Sequence, residues 1–357
     1  MSISKKLILV IGATGAQGLA VVDALLKPGP DGAPSPYAVR ALTRDSTSER
    51  AQELAGRGVE LAEGHFEDFA SVKSALQGVY GAWINTDGFT VGETKEIHIA
   101  MRIFEIAKQT KSIRHYVWSN LDYALKKGNW DPMYECGHYN GKGRVADWLK
   151  AQPSDPSDTG MSWTVVTSGP YMDMLEIPTF GPLNKRKDGT FVFATPVGKG
   201  HVAMIALEDL GFWARYAFDH REELSTKDLE VASDMVGWDY LKDSFERATG
   251  NKATVVYQTI DDWMKNLDRT DYPIANEREY GDGSTTWREN FTGFWSMWRD
   301  DVIKRDMNWI RKVNPETYTV EKWMREHEYT GELTLGVLKN VEDDKGIIPN
   351  RDVTSKL

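Results

Sequence analysis

Seven residues near the start, Gly12-Ala13-Thr14-Gly15-Ala16-Gln17-Gly18, carry the clearest chemistry in the chain. Gly12 permits a tight turn, Gly15 lets backbone approach a pyrophosphate, and Gly18 lets a helix pack closely on a strand. The helix that opens here turns free N–H groups and a positive dipole end toward the phosphates. Gly12, Thr14, Gly15, Ala16, Gln17 and Gly18 are therefore expected to hold a dinucleotide. Further on, Val39-Arg40-Ala41-Leu42 leads into Thr43-Arg44-Asp45. A carboxylate after the second strand suits NAD and an arginine suits NADP. Thr43 and Arg44 favour NADP(H), while a shift of one residue would bring Asp45 forward. His65 and Phe66 are expected beside the adenine, Asn85 and Thr86 along the cofactor, and Pro170 and Tyr171 at its nicotinamide end.

The surrounding pattern supplies elements to place these groups. Residues 7–11 form a continuous apolar run, as in a strand buried on both faces. Helical spacing follows at Leu19, Val22, Leu25 and Leu26, and a Pro/Gly-rich loop leads to a second strand at 37–42. Strands at 59–62, 80–84, 116–118 and 161–166 alternate with helices at 48–56, 71–76, 93–109 and 138–151. Such alternation predicts an α/β, doubly wound, mostly parallel sheet, here an extended Rossmann fold. Residues 1–170 would form the NADP(H)-binding domain. Residues 171–345 would form a smaller, mainly helical substrate portion, with a possible return of the chain to the large sheet. Residues 346–357 read as a polar tail. Seven of the 13 tryptophans lie after residue 230. The helical stretch 290–331 would wall a pocket over the strand ends or serve as a structural cap.

Composition narrows the classes. The chain has 357 residues and a net charge of −10, which disfavours generic binding to nucleic acid or an anionic membrane. A single cysteine, Cys136, excludes an internal disulfide and a cysteine-based zinc site. The opening apolar run is too short for a signal peptide and ends in a glycine turn. No apolar stretch approaches the roughly 20 residues of a membrane span.

The glycine loop, the arginine after the second strand and the segment HYNGKGRVADWLK resemble the NmrA-like group of atypical short-chain dehydrogenases/reductases. The stretch NFTGFWSMWRDD and the later VNPETYTVEKWMREHEYTG resemble the C-terminal portion of its fungal members. The resemblance implies an extended Rossmann fold with bound NADP(H), in a family that holds both reductases and non-catalytic redox-sensing regulators. It also implies a Tyr-x-x-x-Lys pair, in which lysine bonds the nicotinamide ribose and tyrosine moves a proton. Here His138 takes the tyrosine's place and Lys142 matches the lysine, on one helix face. Histidine could act as the acid because its ordinary pKa is near 6.5. Ser119, at the end of the fifth strand, would bond a substrate carbonyl, with Tyr123 in reserve. The literal pairs Tyr123/Lys127 and Tyr318/Lys322 are expected to be chance matches.

Ser355-Lys356-Leu357 spells a peroxisomal address, so an import receptor is an expected partner and the peroxisome the expected compartment, with the cytoplasm as alternative. Two activities fit these readings. One is an NADP(H)-dependent oxidoreductase acting on a small carbonyl or conjugated substrate. The other is an NADP(H)-binding redox sensor that grips a protein partner.

Overall fold

In the computed structural model, residues 5–29, 32–334 and 348–357 are described. Residues 30–31 of the expected loop, 335–345 of the expected C-terminal portion and 346–347 of the expected tail lie outside the described residues. The first half runs β1 (Lys6–Ile11), α1 (Ala16–Leu26), β2 (Tyr37–Thr43), α2 (Glu49–Gly56), β3 (Glu60–Glu63), α3 (Phe69–Ala75), β4 (Gly81–Ile84), α4 (Gly88–Val91), α5 (Glu93–Gln109), β5 (His115–Leu121), α6 (Ala124–Lys127), α7 (Gly137–Lys150) and β6 (Ser162–Ser168). The short helices α4 and α6 carry no periodicity long enough to read from sequence.

A seven-stranded sheet has the order β10-β6-β5-β4-β1-β2-β3, where β10 (Asp228–Glu230) lies far down the chain. Every pairing in it is parallel. This requires crossover helices on both faces and explains why the central strands β1 and β4 read as apolar runs, whereas the edge strands β3 and β10 carry charged residues. Ile8, Leu9 and Val10 are wholly buried, each contributing about 1.5–3 kcal/mol by leaving water. One face packs under α1 and α8 (Leu207–Asp219), the other under α3, α5 and α7. Helices α1 and α8 nearly touch, since a Cβ on Gly211 would stand 2.5 Å from the Ala20 carbonyl oxygen.

The rest of the chain adds β7 (Asn184–Lys185), β8 (Phe191–Thr195), β9 (Val202–Met204), β11 (Asp234–Val236), α9 (Trp238–Thr249), β12 (Ala253–Tyr257), α10 (Ile260–Met264), β13 (Leu267–Asp268), α11 (Trp287–Arg299), α12 (Met307–Val313), α13 (Val320–Glu326) and β14 (Ile348–Pro349). Strands β12, β8 and β7 form a small sheet, and β9 pairs with β11. A third apolar core joins this portion to Cys136 and Tyr139 around α7. Helix α11 begins at a full capping box, Thr286 with Glu289, which fixes where the Trp-rich helix starts. Among the described residues no helix is long and apolar enough to cross a membrane.

Candidate cofactor and active site

The strand order reverses beside β1, whose neighbours are β2 and β4, and there the glycine loop leaves the sheet. Gly12 has φ +82°, and a Cβ on it would meet the Asn85 carbonyl oxygen at 3.2 Å. Gly18 is obligatory for packing, because its Cβ would sit 2.1 Å from the Gly12 carbonyl oxygen. Gly15 differs. It precedes α1, no side chain caps the helix, and its own Cβ would meet only the Gly12 oxygen, at an ordinary 3.4 Å. There is thus room where a Gly15 Cβ would project, and a helix start without a side-chain cap has N–H groups free for an anion.

At the end of β2, Thr43 is buried and its hydroxyl donates to the Asp45 carbonyl at 3.0 Å. Arg44 is exposed and makes no hydrogen bond or ion pair among the described residues. Asp45 turns into its own loop, accepting from the Thr47 backbone N–H at 2.8 Å and the Thr47 hydroxyl at 2.6 Å. Sequence reading missed Arg50, whose Nη1 donates to the Thr14 carbonyl at 3.2 Å. It thus places a second guanidinium beside the glycine loop. His65 and Phe66 lie with ring centroids 4.2 Å apart, and His65 pairs with Glu67 at 3.2 Å. Burial lowers the His65 pKa despite that carboxylate. Phe66 also leans on the core beneath α3 and α5.

Ser119, Gln17 and Tyr171 form one buried polar chain. The Ser119 hydroxyl donates to Gln17 Oε1 at 2.7 Å, and Gln17 Nε2 donates to the Tyr171 hydroxyl at 3.1 Å. Burial pushes the Tyr171 phenol up to about 12. The turn holding Pro170 and Tyr171 is fixed by the Ile205 N–H, which donates to the Pro170 carbonyl at 2.9 Å.

Lys142 projects from α7 to the end of β4. Its ammonium donates to the Thr86 carbonyl at 2.8 Å and to Asn85 Oδ1 at 3.3 Å, and it pairs with Glu96 Oε1 at 3.0 Å. The Thr86 hydroxyl donates to the same Glu96 oxygen at 2.7 Å. Glu96 was not foreseen from sequence. The available signal was a carboxylate on the stripe Glu96, Ala100, Ile103 and Ala107, otherwise apolar and buried.

One turn earlier on α7, His138 is enclosed by aromatic rings. Phe89 stands 4.7 Å away and Phe291 is stacked at 5.6 Å. Asn290 of α11 holds its Nδ1 at 2.8 Å, leaving Nε2 as the nitrogen available to a ligand. Burial drives the His138 pKa down to about 4. Burial thus places the ring below the ordinary value near 6.5 on which the sequence expectation of an acid rested.

Tyr123, the reserve candidate, lies behind α7. Its backbone and Cβ pack against Gly143, and its hydroxyl accepts from Arg144 Nε at 2.9 Å. It lines a separate cavity of about 320 Å³ with Lys127, Lys150, Asp228 and Glu230, and it does not join Lys142, Ser119 and Gln17. Lys127 is occupied by Asp122 and Glu230, both at 2.7 Å. Tyr318 donates to Glu326, while Lys322 lies over the Tyr318 ring. Ser355 and Lys356 are exposed, and the Leu357 carbonyl accepts from Arg186 at 2.8 and 2.9 Å.

The sheet order and the loop define a nucleotide-binding α/β protein of Rossmann type. A model of the NmrA-like family matches residues 4–328, and the chain belongs to that family. Among named relatives, the NmrA-like family domain-containing oxidoreductase malD of Malbranchea aurantiaca is 25% identical over 278 residues, covering 74% of this chain and 78% of that protein. The corresponding oxidoreductase hkm9 of Aspergillus hancockii is 26% identical over 273 residues, covering 74% and 78%. Among solved structures, NmrA, a negative transcriptional regulator in complex with NADP, aligns with a TM-score of 0.67 at 19% identity, covering 90% of this chain and 95% of that one. An NADPH-dependent quinone oxidoreductase of Escherichia coli, complexed with NADPH, aligns with a TM-score of 0.66 at 19% identity, covering 90% and 99%.

Proposed function

We propose that the protein is an NADP(H)-dependent oxidoreductase that reduces a small carbonyl or conjugated substrate. One observation carries the reading: Lys142 of α7 donates to Asn85 and Thr86, just past β4, where Asn85 borders Gly12 of the dinucleotide loop, and His138 lies one turn earlier on the same helix. The residues fit the cofactor. The uncapped start of α1 would take the pyrophosphate, Arg44 with Arg50 nearby the 2′-phosphate, and Lys142 the nicotinamide ribose. The bound nicotinamide supplies the hydride. His138 stays neutral and so donates a hydrogen bond from Nε2 to the substrate oxygen, with water as the net source of the proton. Ser119, through Gln17 and Tyr171, holds the floor of the site. Helix α11 brings Asn290 and Phe291 to the imidazole from the C-terminal side. Malbranchea and Aspergillus relatives carrying the oxidoreductase name support the same reading.

The test is oxidation of NADPH, followed at 340 nm, against a panel of carbonyls and enones. Turnover of at least one member supports the proposal, and a flat trace across the panel from protein that binds NADPH removes it. That second result would favour a redox sensor. A buried neutral histidine at the proton-transfer position and a lysine with three engaged donors suit such a binder, and the NmrA regulator shares the fold. Partner capture that differs between NADP⁺ and NADPH would then be expected.

A further inference from the structure

Helix α7 carries three glycines in its first half, Gly137, Gly141 and Gly143, where helix propensity alone would disfavour them, and the first two face α5. Their environment gives the reason. A Cβ on Gly141 would stand 3.2 Å from Glu93 Cγ and 3.3 Å from Glu96 Oε2, and one on Gly137 would stand 3.3 Å from Glu93 Oε2. From the opposite side, a Cβ on Gly88 of α4 would come within 2.5 Å of Glu96 Oε2. Gly141 of α7 and Gly88 of α4 thus omit side chains around the Glu96 carboxylate, while Gly137 makes room for Glu93. Glu96 is 0% exposed, its Oε1 takes both Lys142 and Thr86, and its Oε2 is buried with no hydrogen-bond partner. A buried carboxylate with one oxygen unsatisfied costs stability. Leucine at this place on the stripe would pack without that cost. The arrangement therefore specifies the ammonium's position rather than maximising stability.

The three acceptors of Lys142 are unequal. Thr86 and Glu96 lie on the protein side at 2.8 and 3.0 Å, whereas the Asn85 contact is the longest, at 3.3 Å, and comes from the residue touching Gly12. We propose that Glu96 is a positioning residue. It anchors the Lys142 ammonium from behind, so that an arriving ribose hydroxyl displaces only Asn85 Oδ1, and the charge reaches the cofactor already oriented. This rests on the NADP(H) reading above. Glu96 would act on the nucleotide through Lys142 alone.

The test is a double-mutant cycle on NADPH affinity, measured by calorimetry on the full chain, with near-ultraviolet circular dichroism confirming that each variant is folded. Glu96→Gln keeps the shape and removes the charge. Glu96→Gln and Lys142→Met are each expected to weaken binding about tenfold. The double variant is expected to bind no more weakly than Lys142→Met, since Glu96 has nothing left to position. Glu96→Asp, which keeps the charge, should recover part of the loss. Unchanged affinity in Glu96→Gln, or losses that multiply to about a hundredfold in the double variant, would overturn the inference while leaving the nucleotide reading intact. Wild-type protein that binds neither NADPH nor NADP⁺ would overturn both.

Discussion

At the scale of single residues, the proposed preference for NADP(H) rests on one exposed guanidinium. Arg44 has no partner among the described residues, while the neighbouring Asp45 is consumed by its own turn. Arg44→Asp should therefore weaken NADP(H) binding by tenfold or more and leave NAD(H) nearly unchanged, as read by parallel titrations. Equal losses for both nucleotides would remove the 2′-phosphate role. His138 yields a second prediction. Its pKa is lowered to about 4 by burial, so between that value and the ordinary 6.5 the unfolded chain binds a proton that the folded one refuses. Stability is thus fully present above pH 6.5 and falls as the pH drops toward 4. At pH 5 the loss from this ring is about 2 kcal/mol. His115, lowered to about 3 by its own burial, adds a loss of the same sign. Urea unfolding of wild type and His138→Gln at pH 7 and pH 5 isolates the His138 share: the stability gap between them should move by about 2 kcal/mol in the variant's favour at pH 5. An unchanged gap would mean that the ring is hydrated and titrates normally. These residues differ in how well the sequence announces them. A glycine required by backbone geometry leaves its mark in the residue type, and Arg44 follows from its place after a strand. Glu96, 46 positions before Lys142, and Asn290, 152 positions after His138, meet their partners only through the fold.

At the scale of elements, the parallel strands were legible because burial on both faces demands runs such as residues 7–11, and the βαβ rhythm implies parallel pairing, while the strand order came from the fold. The later part was not. Strands of two to five residues, such as β7, β8 and β9, present too few alternations to establish a period. The return of the chain as β10 depends on a three-residue pairing with β6. Within the first β–α unit, the three glycines separate into different physical jobs. Gly18→Ala forces a methyl against backbone at 2.1 Å and should cost several kcal/mol or prevent folding, seen as a large fall in Tm. Gly15→Ala meets only an ordinary contact on the protein side, so its stability should stay within about 1 kcal/mol of wild type. Its NADPH affinity should nevertheless fall at least tenfold, because the methyl projects where a pyrophosphate must approach. Matched losses of stability in both variants would contradict this division.

At the scale of the whole molecule, the C-terminal helices can wall the site only if they are held to the strand ends. Arg305, between α11 and α12, does this. Its side chain and that of Asp122, just past β5, are both 0% exposed and meet at 2.6 Å. The same guanidinium donates to the Ser168 carbonyl at the end of β6 and to the Val231 carbonyl just beyond β10, each at 3.1 Å. One side chain thus ties three neighbouring strands to the segment that follows the His138-contacting helix. Burial alone would raise the Asp122 pKa, but Arg305 and Lys127 outweigh it and hold the carboxyl below its usual range. Removing the guanidinium leaves that carboxylate with Lys127 alone and takes a donor from the Ser168, Val231 and Lys304 carbonyls. Arg305→Met should cost about 3–5 kcal/mol, measured by urea unfolding. Since Asn290 reaches His138 from α11, the same variant should also raise KM for any substrate found, more than it weakens NADPH, whose phosphates the glycine loop and Arg44 are proposed to hold. A loss of stability with KM unchanged would show that α11 is seated by its own aromatic core and that the ion pair serves the fold alone.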